Sequence, residues 1–105
     1  MAEYLQVLTT IDSEAAAERL GEALVERRLA ACVQIVGPVS SRYRWQGEIE
    51  RSTEWMCVAK TEAARYAELE AAIHELHSYE EPEVVATPIV AGSPSYLRWV
   101  SRSVE

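Results

Sequence analysis

The sequence predicts an α+β fold, in which an antiparallel sheet carries one long β-hairpin and two helices cover one face. Three observations predict it. Between Ala31 and Trp45, Val33, Ile35, Val39, Tyr43 and Trp45 fall on alternate positions, the period of a pleated strand. After Gln46-Gly47, Glu48, Glu50 and Ser52 alternate with Ile49, and the run Trp55-Met56-Cys57-Val58-Ala59 is apolar on both faces. Two helical stripes flank this hairpin, one before it and one after.

Taken in order, Tyr4–Thr10 is a short β-rich run and the first strand. Asp12 or Ser13 then caps a helix running to about Arg28, with Ala16 or Ala17, Leu20, Ala23 and Leu24 inward. Its wet face carries Glu14, Glu18, Glu22 and Glu26, which read as a solvated stripe. The hairpin follows over Ala31–Thr61, and Gln46-Gly47 suits a two-residue loop because glycine accepts a positive φ. Each arm reaches about 13–15 residues against a usual strand of about 5–6, so the hairpin overhangs any sheet this chain can build. Gly37-Pro38 marks a bulge that re-aims the outer half of the first arm. With Trp45 facing Glu48, Tyr43 faces Glu50, Glu54 lies opposite Val39, Cys32 lies near Thr61 and Cys57 near Val36. Thr61 is expected to cap a second helix, Glu62 to about His77, striped by Tyr66, Leu69, Ile73 and Leu76. Pro82 bars its continuation, Val84–Val90 forms a fourth strand, and Ser95 to about Ser103 a last short helix. The order β-α-β-β-α-β plus a C-terminal helix is the ferredoxin-like split pattern, expected as a single domain over 1–105.

Composition bounds the function. Apolar residues make up 49% and charged residues 26%, which is ordinary for a globular chain. A net charge of −7 repels phosphate backbones and anionic membrane surfaces, so neither nucleic acid nor membrane is an expected partner. No apolar run approaches the ~20 residues of a membrane span. No basic-plus-apolar leader is read, since Glu3 and Gln6 interrupt the start. Cys32 and Cys57 fall out of register with each other, and two free thiols fit a reducing compartment, so the expected location is cytoplasmic.

Candidate chemistry is sparse, with no phosphate loop, nucleophile elbow or zinc-finger spacing. His74 and His77 stand three apart at the end of the second helix, near Glu80 and Glu81, and such residues can offer ligands to copper or zinc. A histidine in the last helical turn also simply complements the helix dipole. Tyr43 and Trp45 share a hairpin face with Glu48 and Glu50 and line a small polar pocket or, the favoured reading, an interface, while Arg42, Arg44 and Arg51 fall on the other face. Trp55 reads as core. Cys32 is a nucleophile, a soft ligand or inert packing, and Lys60 an anion binder or a snorkelling side chain. Tyr96, Leu97, Trp99 and Val100 give the short last helix enough apolar surface to dock on its own chain or a neighbour.

At these residues the chain resembles the CutA family, named for divalent-cation tolerance. Leu29-Ala30-Ala31-Cys32-Val33 is similar to its LAACV segment, and Ser41, Tyr43, Trp45, Gly47, Ile49 and Glu54 follow its S-x-Y-x-W-x-G-x-I-x-x-x-x-E pattern. Lys60-Thr61, His77-Ser78-Tyr79-Glu80, Pro82-Glu83, Pro88, Gly92 and Tyr96-Leu97-x-Trp99 continue in step. The resemblance implies a homotrimer whose hairpins pair across subunits, an architecture like that of PII-type signalling trimers, and a link to copper tolerance. Two positions depart from it: Ser78 stands where the family usually has proline, and Thr9 where some members carry a cysteine implicated in copper binding.

The resulting expectation is a cytoplasmic, non-enzymatic homotrimer that takes a divalent cation (Cu or Zn) or small ligand between subunits. His77 and Glu80 are the metal candidates, Cys32, Lys60 and Tyr79 the pocket, and Tyr43, Trp45 and Trp99 the trimer interface. The alternatives are a PII-like signalling or scaffold trimer with an indirect metal link, and an enzyme using Cys32 with His77.

Overall fold

In the computed structural model, which describes residues 3–105, strand β1 (Tyr4–Ile11) lies at the middle of a four-stranded antiparallel sheet ordered β2-β3-β1-β4. Residues 1 and 2, part of the domain expected over 1–105, lie outside the described residues. Helix α1 (Glu14–Glu26) begins at Ser13, whose hydroxyl accepts from the Ala16 N–H at 3.2 Å. It buries Ala17, Leu20, Gly21 and Leu24; the expected Ala23 is only half-buried, and Gly21 takes its place on the stripe because Val33 and Ile35 lie against it.

Strands β2 (Cys32–Trp45) and β3 (Glu48–Glu62) form the hairpin, joined by Gln46 and Gly47, both at positive φ. Beyond the bulge the expected register holds: Trp45 faces Glu48, Tyr43 faces Glu50 and Val39 faces Glu54. Gly37-Pro38 is that bulge, with a cis peptide bond, and its extra residue shifts the rest of the ladder by one. Cys32 therefore pairs with Lys60 rather than Thr61, and Cys57 with Ile35 rather than Val36. Trp55 fills the space that the missing side chain of Gly37 leaves: a Cβ on Gly37 would lie 2.5 Å from Trp55 Cδ1.

Thr61 is not a helix cap. It is the penultimate residue of β3, fully buried, and its hydroxyl donates to the Leu29 carbonyl at 2.7 Å. Pairing of Tyr4 with Glu62 extends the strand past it, and a 3-10 turn at Ala63–Arg65 precedes α2 (Tyr66–Leu76). Leu69, Ala72 and Ile73 of α2 join α1 over the sheet face carrying Val7, Ile11, Cys57 and Ala59, while Leu76, expected on the stripe, is exposed. β4 (Val85–Pro88) is shorter than expected because its ladder with β1 covers only Leu5–Leu8.

Helix α3 (Pro94–Ser103) docks on the opposite face, where Val100 and Val104 pack against Ala31 and Tyr4. A chain of hydroxyls ties it down: Tyr4 Oη and Ser101 Oγ lie 2.7 Å apart, and Ser101 donates to Glu62 at 2.6 Å. On the rest of that face Leu8, Val36, Met56, Val58 and Val85 belong to neither buried cluster among the described residues, and Val36 and Val85 are exposed.

Gly37→Ala should destabilise the chain by about 1–3 kcal/mol, since the Trp55 ring must move at its root rather than at a flexible end. Urea unfolding checks this; an unchanged midpoint would mean that the bulge relaxes freely around a Cβ.

Candidate functional site

Two polar clusters emerge, one at each end of β1. The first gathers at its carboxyl end. The β1–β4 ladder ends at the Leu8–Val85 pair, so the Thr10 carbonyl has no ladder partner on that side. His77, the cap residue after α2, supplies one: its Nε2 lies 2.8 Å from Thr10 O. The other ring nitrogen, Nδ1, accepts the Tyr79 backbone N–H at 3.0 Å. A carbonyl only accepts and a backbone amide only donates, so these partners select the neutral Nε2–H imidazole. The Tyr79 ring leans on that imidazole, with centroids 4.7 Å apart, and its hydroxyl donates to Glu54 Oε2 at 2.8 Å. Glu54 is 5% exposed, a nearly buried carboxylate at the root of the overhanging hairpin. Thr10 Oγ1 adds a long bond to Glu83 at 3.4 Å. Burial pushes the Tyr79 phenol well above the usual tyrosine range, and the bond to Glu54 and the negative charges of Glu54 and Asp12 push it further.

The second cluster lies under α3. Cys32 and Lys60 are cross-strand partners on the face away from α1 and α2. Lys60 Nζ donates to Gln34 Oε1 at 2.6 Å, and Cys32 Sγ lies 3.6 Å from Tyr96 Oη. Tyr96 stacks obliquely on Trp99 at 5.5 Å. Its phenol is raised by the bond to Cys32 first and by burial second. Cys57 belongs to neither cluster: its thiol sits in the helix-side core, donates to Ala17 O at 3.6 Å and is pushed by burial to about 11. Cys32 and Cys57 thus stand on opposite faces of the sheet.

The structure therefore divides the residues singled out from sequence. His77 and Tyr79 come together, joined by Glu54; Cys32 and Lys60 come together, joined by Gln34 and Tyr96. Tyr79 is not in the Cys32 cluster. Cys32 and His77 form no dyad, since Thr10 lies opposite Met56 and Cys32 opposite Lys60, four residues or about 13 Å further along β3. Glu80 and His74 are exposed, as are Tyr43, Trp45 and Trp99.

The donor set of one chain does not fit a metal ion. His77 has no lone pair to offer while it holds Thr10 and Tyr79. Among the described residues no three His, Cys, Asp or Glu side chains gather to hold an ion. Thr9, at the position matched to a cysteine in the resemblance, points a buried hydroxyl without a partner into the helix-side core. Sequence reasoning missed Thr10, Glu83 and Gln34 as partners. Only Glu54 left a signal, a carboxylate beside the apolar run that starts at Trp55.

A family model described as CutA1 divalent ion tolerance protein matches residues 5–103. The divalent-cation tolerance protein CutA of Thermus thermophilus is 45% identical over 94 residues, covering 90% of this chain and 91% of that protein. Protein CutA of Mus musculus is 38% identical over 96 residues, 91% of this chain but 54% of that protein, so the chain spans about half its length. A solved structure from Archaeoglobus fulgidus, described as a periplasmic divalent cation tolerance protein, matches with a TM-score of 0.94 at 36% identity, covering 97% of this chain and 99% of that one.

Tyr79→Phe should cost about 1–3 kcal/mol at neutral pH, because Glu54 loses its hydroxyl donor inside the protein. The folded phenol ionises later than the unfolded one, so its stabilisation is complete below about pH 10 and is lost as pH rises toward the folded value. Urea unfolding of both proteins should therefore show the gap between them narrowing above about pH 10. A gap that stays constant there would separate the phenol's ionisation from folding.

Proposed function

This chain belongs to the CutA1 divalent ion tolerance family, and from that premise we propose that it acts as a homotrimer in divalent-cation tolerance, copper included, with its ligand taken between copies. The observation that carries the reading is the overhang. β1 pairs with only Trp55–Glu62 of β3, so among the described residues Glu48–Glu54 has β2 as its sole partner strand, and Tyr43, Trp45 and Ile49 stand 44%, 39% and 67% exposed. A lone two-stranded hairpin is marginal in water, so the arm needs a neighbour. The sheet supplies the place, since its two free edges, β2 and β4, are unlike. Joining one to the other makes a head-to-tail contact, which gives a ring where the rotation between copies closes, and not a two-fold dimer. The face with Leu8, Val36, Met56, Val58 and Val85 gains cover in such a ring.

In this reading Tyr43, Trp45 and Trp99 lie at the interface, and the Cys32–Lys60 and Tyr79–Glu54 clusters border the cleft between copies. Binding is the role, not catalysis; the separation of Cys32 from His77 supports that. A cytoplasmic setting belongs to the same proposal, supported by two free thiols on opposite sheet faces.

A second reading, a signalling or scaffold trimer with an indirect metal link, is favoured by one observation: both ring nitrogens of His77 are engaged within the chain. For His77 and Glu80 to hold a cation, His77 must first release Thr10 or Tyr79.

Sedimentation should give three times the 11.8 kDa chain mass; a monomer would end the trimer reading. Calorimetric titration of Cu(II) into that trimer, with His77→Ala alongside, should give saturable binding at one ion per chain that the variant loses. Equal, non-saturating heats in both proteins would leave only the indirect reading.

A further inference from the structure

The overhanging hairpin has two chemically opposite faces, and only one is explained by its aromatic residues. Tyr43, Trp45, Glu48 and Glu50 share one face through the pairs Tyr43–Glu50 and Trp45–Glu48. The other face carries Arg42 directly opposite Arg51, and Arg44 opposite Ile49. β3 has no bulge, so this arginine face continues the helix-covered face of the sheet outward, where Arg42, Arg44 and Arg51 are exposed.

Two guanidinium groups directly opposite across a ladder repel, and the arrangement is destabilising without a counter-charge. None is supplied at home. All three arginines are exposed, and the ion pairs among the described residues are Arg27–Glu75 and Arg65–Glu68. Arg42 donates to Ser40 Oγ at 2.6 Å and to Ser41 O at 3.3 Å, and Arg44 to Gly47 O at 3.5 Å, all neutral oxygens. The hairpin's own carboxylates, Glu48 and Glu50, point the other way.

The rest of the chain is strongly acidic. Of its 10 basic residues three are these arginines, so setting them aside takes the net charge from −7 to −10. A second copy is therefore the anionic partner always at hand, and Arg–carboxylate pairing is the contact its geometry favours. Which carboxylates meet the arginines follows from the edges. Glu80 and Glu81 are exposed and stand just before β4, at the free edge to which the partner's β2 is assigned above, while Glu83 accepts from Thr10 within the chain. Helix α1, which carries Glu14, Glu18 and Glu22, packs mostly on β2 and β3, away from that edge.

We propose that the arginine face of the hairpin, Arg42, Arg44 and Arg51, clamps the acidic Glu80–Glu83 turn of a neighbouring copy and so aligns the assembly in one direction. This rests on the self-association proposed above. Carboxylates at the rim of an acidic assembly would otherwise repel, and the clamp turns part of that repulsion into the contact that sets which edge meets which.

Sedimentation velocity from about 0.05 M to about 0.5 M NaCl tests it, because exposed ion pairs weaken as salt screens them. Arg42→Glu with Arg51→Glu should raise the dissociation constant on the order of 100-fold at low salt. Adding Glu80→Arg with Glu81→Arg should bring it back to within about tenfold of the parent. Should the reversed pair fail to fold by circular dichroism, Arg42→Gln with Arg51→Gln removes the repulsion and should flatten the salt dependence of assembly. A parent protein that is monomeric at every salt concentration would sink the self-association reading itself. An assembled parent whose arginine variants assemble as tightly, with the same salt slope, would overturn the clamp alone. Rescue by Glu18→Arg with Glu22→Arg instead of the turn variant would overturn the assigned partner. Saturable binding of tripolyphosphate to the assembled parent, lost in Arg42→Gln with Arg51→Gln, would overturn it too, since the arginines would then be open to solution.

Discussion

Everything distinctive in this molecule follows from β3 being longer than the sheet that holds it. Its inner half, Trp55–Glu62, pairs with β1 throughout and with β2 over Met56–Lys60, and there Cys57 and Ala59 lie in the core and Thr61 is bonded to Leu29. Its outer half, Glu48–Glu54, has one partner strand among the described residues, and Tyr79 of its own chain reaches it at Glu54. The same strand thus passes from core to scaffold within 15 residues. The change occurs at one place, where Gly37-Pro38 bulges, Trp55 fills the gap and Glu54 is buried beside it.

That junction explains why the polar cluster sits where it does. A buried carboxylate needs donors, and Glu54 lies where β1 has ended and cannot supply them from a ladder. The turn after α2 fills the role. His77 caps the open Thr10 carbonyl with one nitrogen and holds the Tyr79 amide with the other, which places the Tyr79 hydroxyl on Glu54. The imidazole is a bracket between the end of β1 and the turn, and Tyr79 carries the connection on to the hairpin. A residue with that duty can act as a metal ligand only by letting the turn go, so any cation bound through His77 would be coupled to the position of the hairpin root.

Much of this was legible in the sequence, and the failures have physical causes. The hairpin loop and distal register were readable because both are local: Gln46-Gly47 and strict alternation determine them. Past the bulge the reading slipped by one, as it must when an extra residue in one strand leaves no mark on alternation. Thr61 looked like a helix cap because the residues after it favour helix; pairing with β1, nearly 60 residues away in sequence, overrode that preference. The candidate site was half legible. His77 and Tyr79 stood out as residue types, but the Thr10 carbonyl that defines the role of His77 is 67 residues distant, and no spacing rule connects them. α3 was expected to dock, yet its choice of the face opposite α1 and α2 depends on Tyr4 and Glu62 meeting across β1 and β3.

The overhang also sets how specific an assembly built on it can be. Backbone edges alone pair with little regard for identity, since every edge offers the same N–H and C=O groups. Direction and partner must come from side chains. Here the hairpin separates its side chains by face, aromatic and acidic on one, basic on the other, while the turn before β4 is acidic. An edge of β2 approaching another β2 would bring arginines to arginines. An edge of β2 approaching β4 brings them to carboxylates. The like-charged Arg42–Arg51 pair, a liability in the isolated chain, becomes the feature that rejects the wrong edge. Such selection is worth keeping even where each ion pair adds little affinity, because joining two like edges gives only a two-fold dimer and leaves the other edge of each copy open, whereas unlike edges can close a ring.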